Sequence, residues 1–390
     1  MRNKVNKLIK DAKNQYYNKT FDQNKSNPKK TWDLINNLTG GNKKTYEIPK
    51  LSSEDGSYSF SEEETANQFI EFFGNIANSL VSDLPPGNIS PTSSLTRNHN
   101  TFFLFPITPQ EVIKYINSSK NTKSSINEIP PKLIKAIADE ISVPLSNLYN
   151  SCIEQGIFPD TFKLARIIPI YKNGAKDIIS NYRPISIIQF FSKIFEKCLT
   201  VRLTKFFHKF SIFNDSQFGF LKDKSTTEAL LTVIEKCYDS LNKKQHLINV
   251  FIDIKKAFDT VNIEILCKKL EIYGIRGKPL NLLRSFLTNR HNKVAFGKTS
   301  SKTLVTNIGI PQGSSLGPLL FLLYVNDLPN NNINAKTILF ADDTTITASH
   351  DNYETLKHNI NLNLETTKQW MQSNRLTINT SKTEAILITN

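Results

Sequence analysis

The sequence predicts an α+β fold, an antiparallel sheet backed by helices, behind a helical N-terminal extension. Three observations point there. In "TILFADDTTITA", Thr337 to Ala348, two β-forming runs flank Asp342-Asp343, as in a hairpin whose two turn residues are the aspartates. In "NVFIDIKKAFDTV", Val250, Ile252 and Ile254 alternate onto one strand face and leave Phe251 and Asp253 on the other. Elsewhere, apolar residues recur at helical spacing behind N-capping residues.

In chain order, Val5, Leu8, Ile9, Ala12 and Tyr16 have helical spacing, and a second helix is expected at Lys30 to Leu38, closed by Gly40-Gly41. Residues 61–80 open on Ser61 with acids in the first turn, a favourable helix start. The Pro-, Ser- and Asn-rich stretch Leu84 to Thr101 reads as a linker, and a domain boundary is expected there. Thr108, Pro109 and Glu111 then form a complete capping box. A helix from Pro131 to Gly156 is expected to be interrupted near Pro144. "ARIIPIYK" and "YRPISII" read as short strands, and Phe190 to Phe207 as an amphipathic helix. Asn262 caps a helix through Tyr273, which Gly274 ends.

Composition narrows the function classes. The 390 residues suit two or three subdomains, and 25 Phe can fill their cores. The longest apolar run, Leu316 to Val325, is about half the roughly 20 residues needed to span a bilayer. The N-terminus lacks an apolar core like that of a signal peptide, so the protein is expected to be soluble and intracellular, in nucleus or cytoplasm, not secreted. Cys152, Cys198, Cys237 and Cys267 show no CxxC spacing and read as reduced core thiols. No HExxH exists, and "GGNKKT" at Gly40 lacks the earlier Gly of a phosphate-binding P-loop. Lys plus Arg number 49 against 35 acids, a net +14, which argues for a polyanionic partner. Residues 1–44 alone hold eleven Lys/Arg and three Asp, which fits phosphate-backbone binding as well as a solvated basic helix face.

The acids are the informative residues. Alone, Asp342-Asp343 also fits a solvated turn. Asp253, however, occupies a half-buried strand position where a charge is costly unless compensated. If its strand lies beside the hairpin, at a strand spacing of about 4.8 Å, three carboxylates converge. Such like charges raise one another's pKa unless a cation sits among them, and hard oxygen ligands suit Mg²⁺. Two such ions about 3.5–4 Å apart can serve a phosphoryl transfer. The "GIPQGSSLGPLLF" stretch adds a loop from Gly309 to Gly313 that allows close backbone approach, then Ser314 or Ser315 capping an apolar helix whose first N–H groups could meet an anion.

Together, "FIDIKKAFDTV", "GIPQGSSLGPLLF" and "FADD" resemble, in order and spacing, motifs A, B and C of reverse transcriptases. "SNYRPISI", "QFGFLKDKSTTEAL", "YGIRG", "SFLTNR" and "YVNDLP" are similar to those of non-LTR retrotransposons, the jockey and CR1-like groups in particular. The resemblance covers about residues 105–390 and implies a right-hand polymerase. It implies fingers with part of the palm over 101–245, the palm over 246–390, and a basic, mostly helical extension and linker over 1–100. The implied reaction is addition of a dNTP to a primer 3′-hydroxyl on an RNA template, with no membrane involved.

Carried to this chain, the resemblance implies that Asp253, Asp342 and Asp343 hold two Mg²⁺ ions (Mn²⁺ as substitute), with the Ile254 carbonyl as an extra ligand. Phe258 would be the steric gate against a ribose 2′-hydroxyl. Lys172 and Arg183 would neutralise the triphosphate, and Gln312 and Gly313 would line the nucleotide and template pocket. Lys382 would protonate pyrophosphate. By residue type alone, Phe258 also fits a core position, Lys382 a surface lysine and Arg183 a loop brace. Departures from the pattern are Asn127 near a usual Asp before "IPPK" and Leu221 in place of an Arg after "QFGF". The chain ends at Asn390, so a fragment without thumb or endonuclease is expected. Two rival readings remain at this level: an inactive nucleic-acid-binding remnant, and a viral RNA-templated RNA polymerase, against which Phe258 argues.

Overall fold

The computed structural model describes residues 2–25, 27, 30–32, 34–35, 48–51, 61–82, 84–121, 129–296 and 299–389. It divides into two compact units, Met1–Pro49 and Lys50–Asn390. In the first, Arg2–Asn24 form helix α1, with Val5, Leu8, Ile9 and Tyr16 exposed. Residues 30–32 and 34–35 are helical; the remainder of the helix expected at 30–38, its Gly40-Gly41 stop and Asn127 lie outside the described residues.

In the second unit, α2 (Glu62–Ser82) starts as its sequence dictates, with Ser61 Oγ accepting the Glu64 N–H at 3.1 Å. Its Phe69 packs edge-on against Tyr182 and Phe296. The Pro- and Asn-rich segment that follows is tied down by main-chain bonds, Asn98 N–H to the Ile272 carbonyl and Phe102 N–H to the Gly274 carbonyl, each 2.9 Å. Helix α3 (Pro109–Ser118) carries the full capping box, and Arg202 reaches Glu111 at 2.7 Å.

The expected break near Pro144 is corrected. The chain breaks at Ile137, between α4 (Pro131–Ala136) and α5 (Ala138–Gln155), and Pro144 lies inside α5. The proline deprives only the Glu140 carbonyl of its helical partner, and Glu140 is exposed, so water can satisfy it.

Strands β1 (Ala165–Tyr171) and β2 (Tyr182–Ile188) pair antiparallel, followed by α6 (Phe190–Lys209) and α7 (Thr226–Asn242). After β3 (His246–Ile252) come α8 (Ile263–Ile272), whose first turn is capped by Asn262, and α9 (Lys278–Leu287). β4 (Arg290–Phe296) joins β1 in parallel and carries β5 (Thr299–Ser300) and β6 (Leu304–Thr306). Sequence reasoning passed over these three, because "RHNK" opens β4 with consecutive polar residues that hide the alternation.

The remaining elements are α10 (Gly317–Val325), β7 (Lys336–Phe340), β8 (Asp343–His350), α11 (Tyr353–Ser373) and β9 (Glu384–Ile388). A second sheet, β7-β8-β3-β9, is antiparallel throughout. Val250, Ile252, Ile346 and Ala348 pack it onto Leu356 and Ile360 of α11. Helix α10 is apolar all round and buried except at Pro318, which makes it the centre of the main core rather than a surface helix. Among the described residues no helix is long and apolar enough to cross a membrane. All four cysteines are free thiols, three of them buried.

One buried ion pair joins the helices below this sheet. Lys269 of α8 meets Asp327, just beyond α10, at 2.5 Å with both side chains fully buried. Asp327 also accepts from Trp370 Nε1 (2.9 Å) and Ser94 Oγ (3.0 Å). Lys269→Met would leave that carboxylate without its cation and is expected to cost about 3–5 kcal/mol, seen as a lower urea midpoint. The double change Lys269→Met with Asp327→Leu should recover much of the loss; additive losses would show that the pair is not the linchpin.

Candidate active site

The hairpin turn differs from the expected one by a residue. Phe340 pairs with Asp343, so Ala341 and Asp342 are the two turn residues and Asp343 begins β8. Ala341 has φ +57°, the positive value a type II′ hairpin demands at its first turn position. The "QFGF" segment holds this turn in place. Gln217 Oε1 accepts the Gly219 N–H at 2.7 Å and the Ala341 N–H at 3.1 Å, and Phe218 N–H donates to the Leu339 carbonyl at 2.8 Å.

Asp253 arrives from the next strand. β3 runs alongside β8 in register to Ile252↔Thr344, so Asp253, one residue on, emerges at the same sheet end as Asp343. Asn379 grips it twice: its N–H donates to the Asp253 carbonyl at 2.8 Å and its Nδ2 to Asp253 Oδ2 at 2.6 Å. Burial, then the neighbouring Asp342 and Asp253 charges, push the Asp343 carboxyl above the usual carboxylate range. Both other acids thus lie close enough for their charges to reach Asp343.

They share a cavity of about 730 Å³ with Lys172, Arg183, Ile254, Phe258, Gln312 and Lys382. Nine of the ten residues singled out in the sequence thus line one space. The cations crowd one another: the Arg183 charge, then partial burial and Lys382, lower the Lys172 pKa. Lys256 is lowered too, mainly by burial. The ring of Phe258 is stacked on Phe321, with centroids 4.4 Å apart, and faces Phe220 edge-on.

Gly313, the tenth residue, follows Gln312 in the chain and is not among the residues lining that cavity. It has φ +111°, and a Cβ there would lie 2.5 Å from the Ser186 carbonyl, so only glycine fits without movement. The Ser186 N–H in turn donates to the Gln312 carbonyl at 2.7 Å. Beyond the loop, the helix cap differs from expectation. Ser314 Oγ does accept the Gly317 N–H at 2.6 Å, but Ser315 N–H donates to Glu196 Oε2 at 2.7 Å. The buried Glu196 carboxylate, opposite Arg290, occupies donors that the sequence seemed to offer to a ligand anion.

Sequence reasoning did not single out Glu196, Gln217, Asp259, Lys256 or Asn379. The last three line the cavity. Asp259 lay in a quoted motif, six residues after Asp253, but neither a strand nor a helix period marks it. Asn379 and Gln217 act through contacts with residues more than 120 positions away, which no local pattern reveals.

As a cation site the donors fit in chemistry rather than as a finished cage. Among the described residues no three His, Cys, Asp or Glu side chains are grouped closely enough to enclose a metal. The carboxylates are hard oxygens on an open cavity, and their mutual repulsion favours a cation; Mg²⁺ commonly takes only one or two carboxylates and completes its shell with water and phosphate.

The family described as "Reverse transcriptase (RNA-dependent DNA polymerase)" matches residues 170–389. The chain is similar to the "Probable RNA-directed DNA polymerase from transposon X-element" of Drosophila melanogaster, 32% identical over 250 residues, 62% of this chain and 27% of the relative. The same fly's "Probable RNA-directed DNA polymerase from transposon BS" is 29% identical over 293 residues, 71% of this chain and 32% of the relative. Its "RNA-directed DNA polymerase from mobile element jockey" is 27% identical over 342 residues, 80% and 36%. The matched stretch spans about a third of these relatives' length.

Because the raised Asp343 pKa means that the folded state favours the protonated acid, the associated stability is present below the unfolded value, about 3.9, and is lost as pH rises through the folded value. Asp343→Asn is therefore expected to raise the melting temperature at pH 7.5 in chelator by about 2 °C or less. The gain should vanish below pH 4 and on adding Mg²⁺. Scanning calorimetry checks this, and equal melting at pH 7.5 would dissolve the repulsive cluster.

Proposed function

This chain belongs to the reverse transcriptase family, and from that premise we propose that it extends a DNA primer on an RNA template, taking dNTPs and releasing pyrophosphate. The observation that carries the reading is one cavity lined both by three acids, two from the β7–β8 hairpin and one from the end of β3, and by Lys172, Arg183 and Lys382. The β7-β8-β3-β9 sheet with α8, α10 and α11 would be the palm, and the β1–β2 ribbon with the helices around it the fingers. The basic composition, net +14, suits a nucleic-acid duplex in this space.

Reverse transcriptases use divalent metal ions. Asp253, Asp342, Asp343 and the Ile254 carbonyl would hold two Mg²⁺ ions here, which when bound supply charge neutralisation for the attacking and leaving oxygens. The protein's own side chains do the rest. Asn379 fixes one Asp253 oxygen and thereby orients the other towards the cavity. Lys172 and Arg183, which repel each other when alone, gain from a triphosphate between them, and charge-assisted contacts then align the α-phosphate with the primer hydroxyl. Lys382, in the turn that follows Asn379, would give a proton to pyrophosphate. The Phe258 ring, stacked on Phe321, would be held in the space that a ribose 2′-hydroxyl needs.

Purified chain, RNA template and DNA primer should give Mg²⁺-dependent extension, and Asp253→Asn should lower it by about 10³-fold or more. Equal signal from both proteins refutes the reading. Phe258→Val should relax sugar choice, raising relative rNTP incorporation by about tenfold or more. A wild-type preference for rNTPs would instead indicate an RNA polymerase.

A further inference from the structure

We propose that Asp259 is a positioning residue of the nucleotide pocket, its carboxylate deciding which end of the Gln312 carboxamide faces the cavity. What the pocket receives rests on the polymerase reading above; the link between the two residues does not. Gln312 Nε2 donates to Asp259 Oδ1 at 2.8 Å. An ionised carboxylate can only accept, so the amide must turn its NH₂ towards Asp259 and keep its oxygen free as an acceptor for a ligand.

The backbone around both residues is already held. Gly309 N–H donates to the Val261 carbonyl at 2.9 Å, Ile310 N–H to the Phe258 carbonyl at 2.8 Å, and Ser186 N–H to the Gln312 carbonyl at 2.7 Å. Gly309 sits so close, with a Cβ position 2.5 Å from the Asp259 carbonyl, that the loop and the Asp259 turn move as one body. The Gln312 side-chain torsions are what these bonds leave undetermined. Among the described residues, Asp259 is the partner that settles them.

Asp259 has no equally good structural employment. Among the described residues it makes no ion pair within 4.0 Å, and its other oxygen, Oδ2, is shut from water without a hydrogen-bond partner. It also borders a small pocket of about 70 Å³ lined by Arg290 and by Ile308 to Gln312 of the loop. Burial pushes the carboxyl up to about 6, against the pull of the Gln312 hydrogen bond and the Lys256 and Arg183 charges. A costly group whose one side-chain hydrogen bond goes to a cavity-lining amide is better explained by orientation of that amide than by stability.

The test uses the full chain with its glutamine side-chain amides labelled with ¹⁵N, the Gln312 pair being identified by its loss in Gln312→Ala. The wild-type pair should be shifted from the free-glutamine position and exchange slowly with water. Asp259→Ala should return it to the free position, whereas Asp259→Asn, which still offers an acceptor, should hold it. In primer extension, Asp259→Ala and Gln312→Ala should each raise the dNTP KM about tenfold, the loss of one hydrogen bond from the nucleotide to the Gln312 oxygen. Their kcat should stay within about threefold. The double variant should be no worse than Gln312→Ala alone, and Asp259→Asn should stay within about threefold of wild type. An amide unmoved by Asp259→Ala, or single effects that multiply in the double variant, overturns the proposal. Absence of extension by wild type refutes the polymerase reading instead, while the amide signal still decides whether Asp259 holds Gln312.

Discussion

The register between β3 and β8 is the constraint on which the site depends. Seven cross-strand pairs, from His246↔His350 to Ile252↔Thr344, bring Asp253 and Asp343 out at one sheet end. A slip of one residue would turn Asp253 to the opposite face and separate the acids. Burial enforces the register: Val250, Ile252, Ile346 and Ala348 must all face α11, and the buried Asn249 oxygen accepts the Thr347 hydroxyl at 2.7 Å, a match that any slip would break. The apolar face of the sheet thus determines where its charged edge assembles.

That edge is electrostatically unfinished by itself. Burial and the neighbouring Asp342 and Asp253 charges raise the Asp343 carboxyl at the hairpin, while the Arg183 charge lowers Lys172 and burial lowers Lys256. Acids and cations lining one cavity suit a ligand carrying both signs. The rest of the chain supplies rigidity. The Lys269–Asp327 pair and the Glu196 carboxylate hold the two ends of the all-apolar α10, which follows the loop containing Gln312. Preorganisation of this kind lets charges act without rearrangement when substrate arrives.

The sequence by itself determined many of the elements, though not β4 to β6, and most of the site's membership. Alternation at Val250, Ile252 and Ile254, the Thr108 capping box and the Asn262 cap are local features, and local sterics and hydrogen bonding realise them directly. The ordered motifs marked Asp253, Asp342, Asp343, Phe258 and Gln312, and these line one cavity. Only the tertiary structure decided where the turn falls, that β4 joins β1 in parallel, and that Glu196 rather than a ligand takes the donors at Ser315. It also decided which residues hold the marked ones: Gln217 on the hairpin turn, Asn379 on Asp253 and Asp259 on Gln312. The physical reason is one of range. Propensity and periodicity act over a few residues, whereas these grips join segments 53 to 126 positions apart and exist only once burial has brought them together.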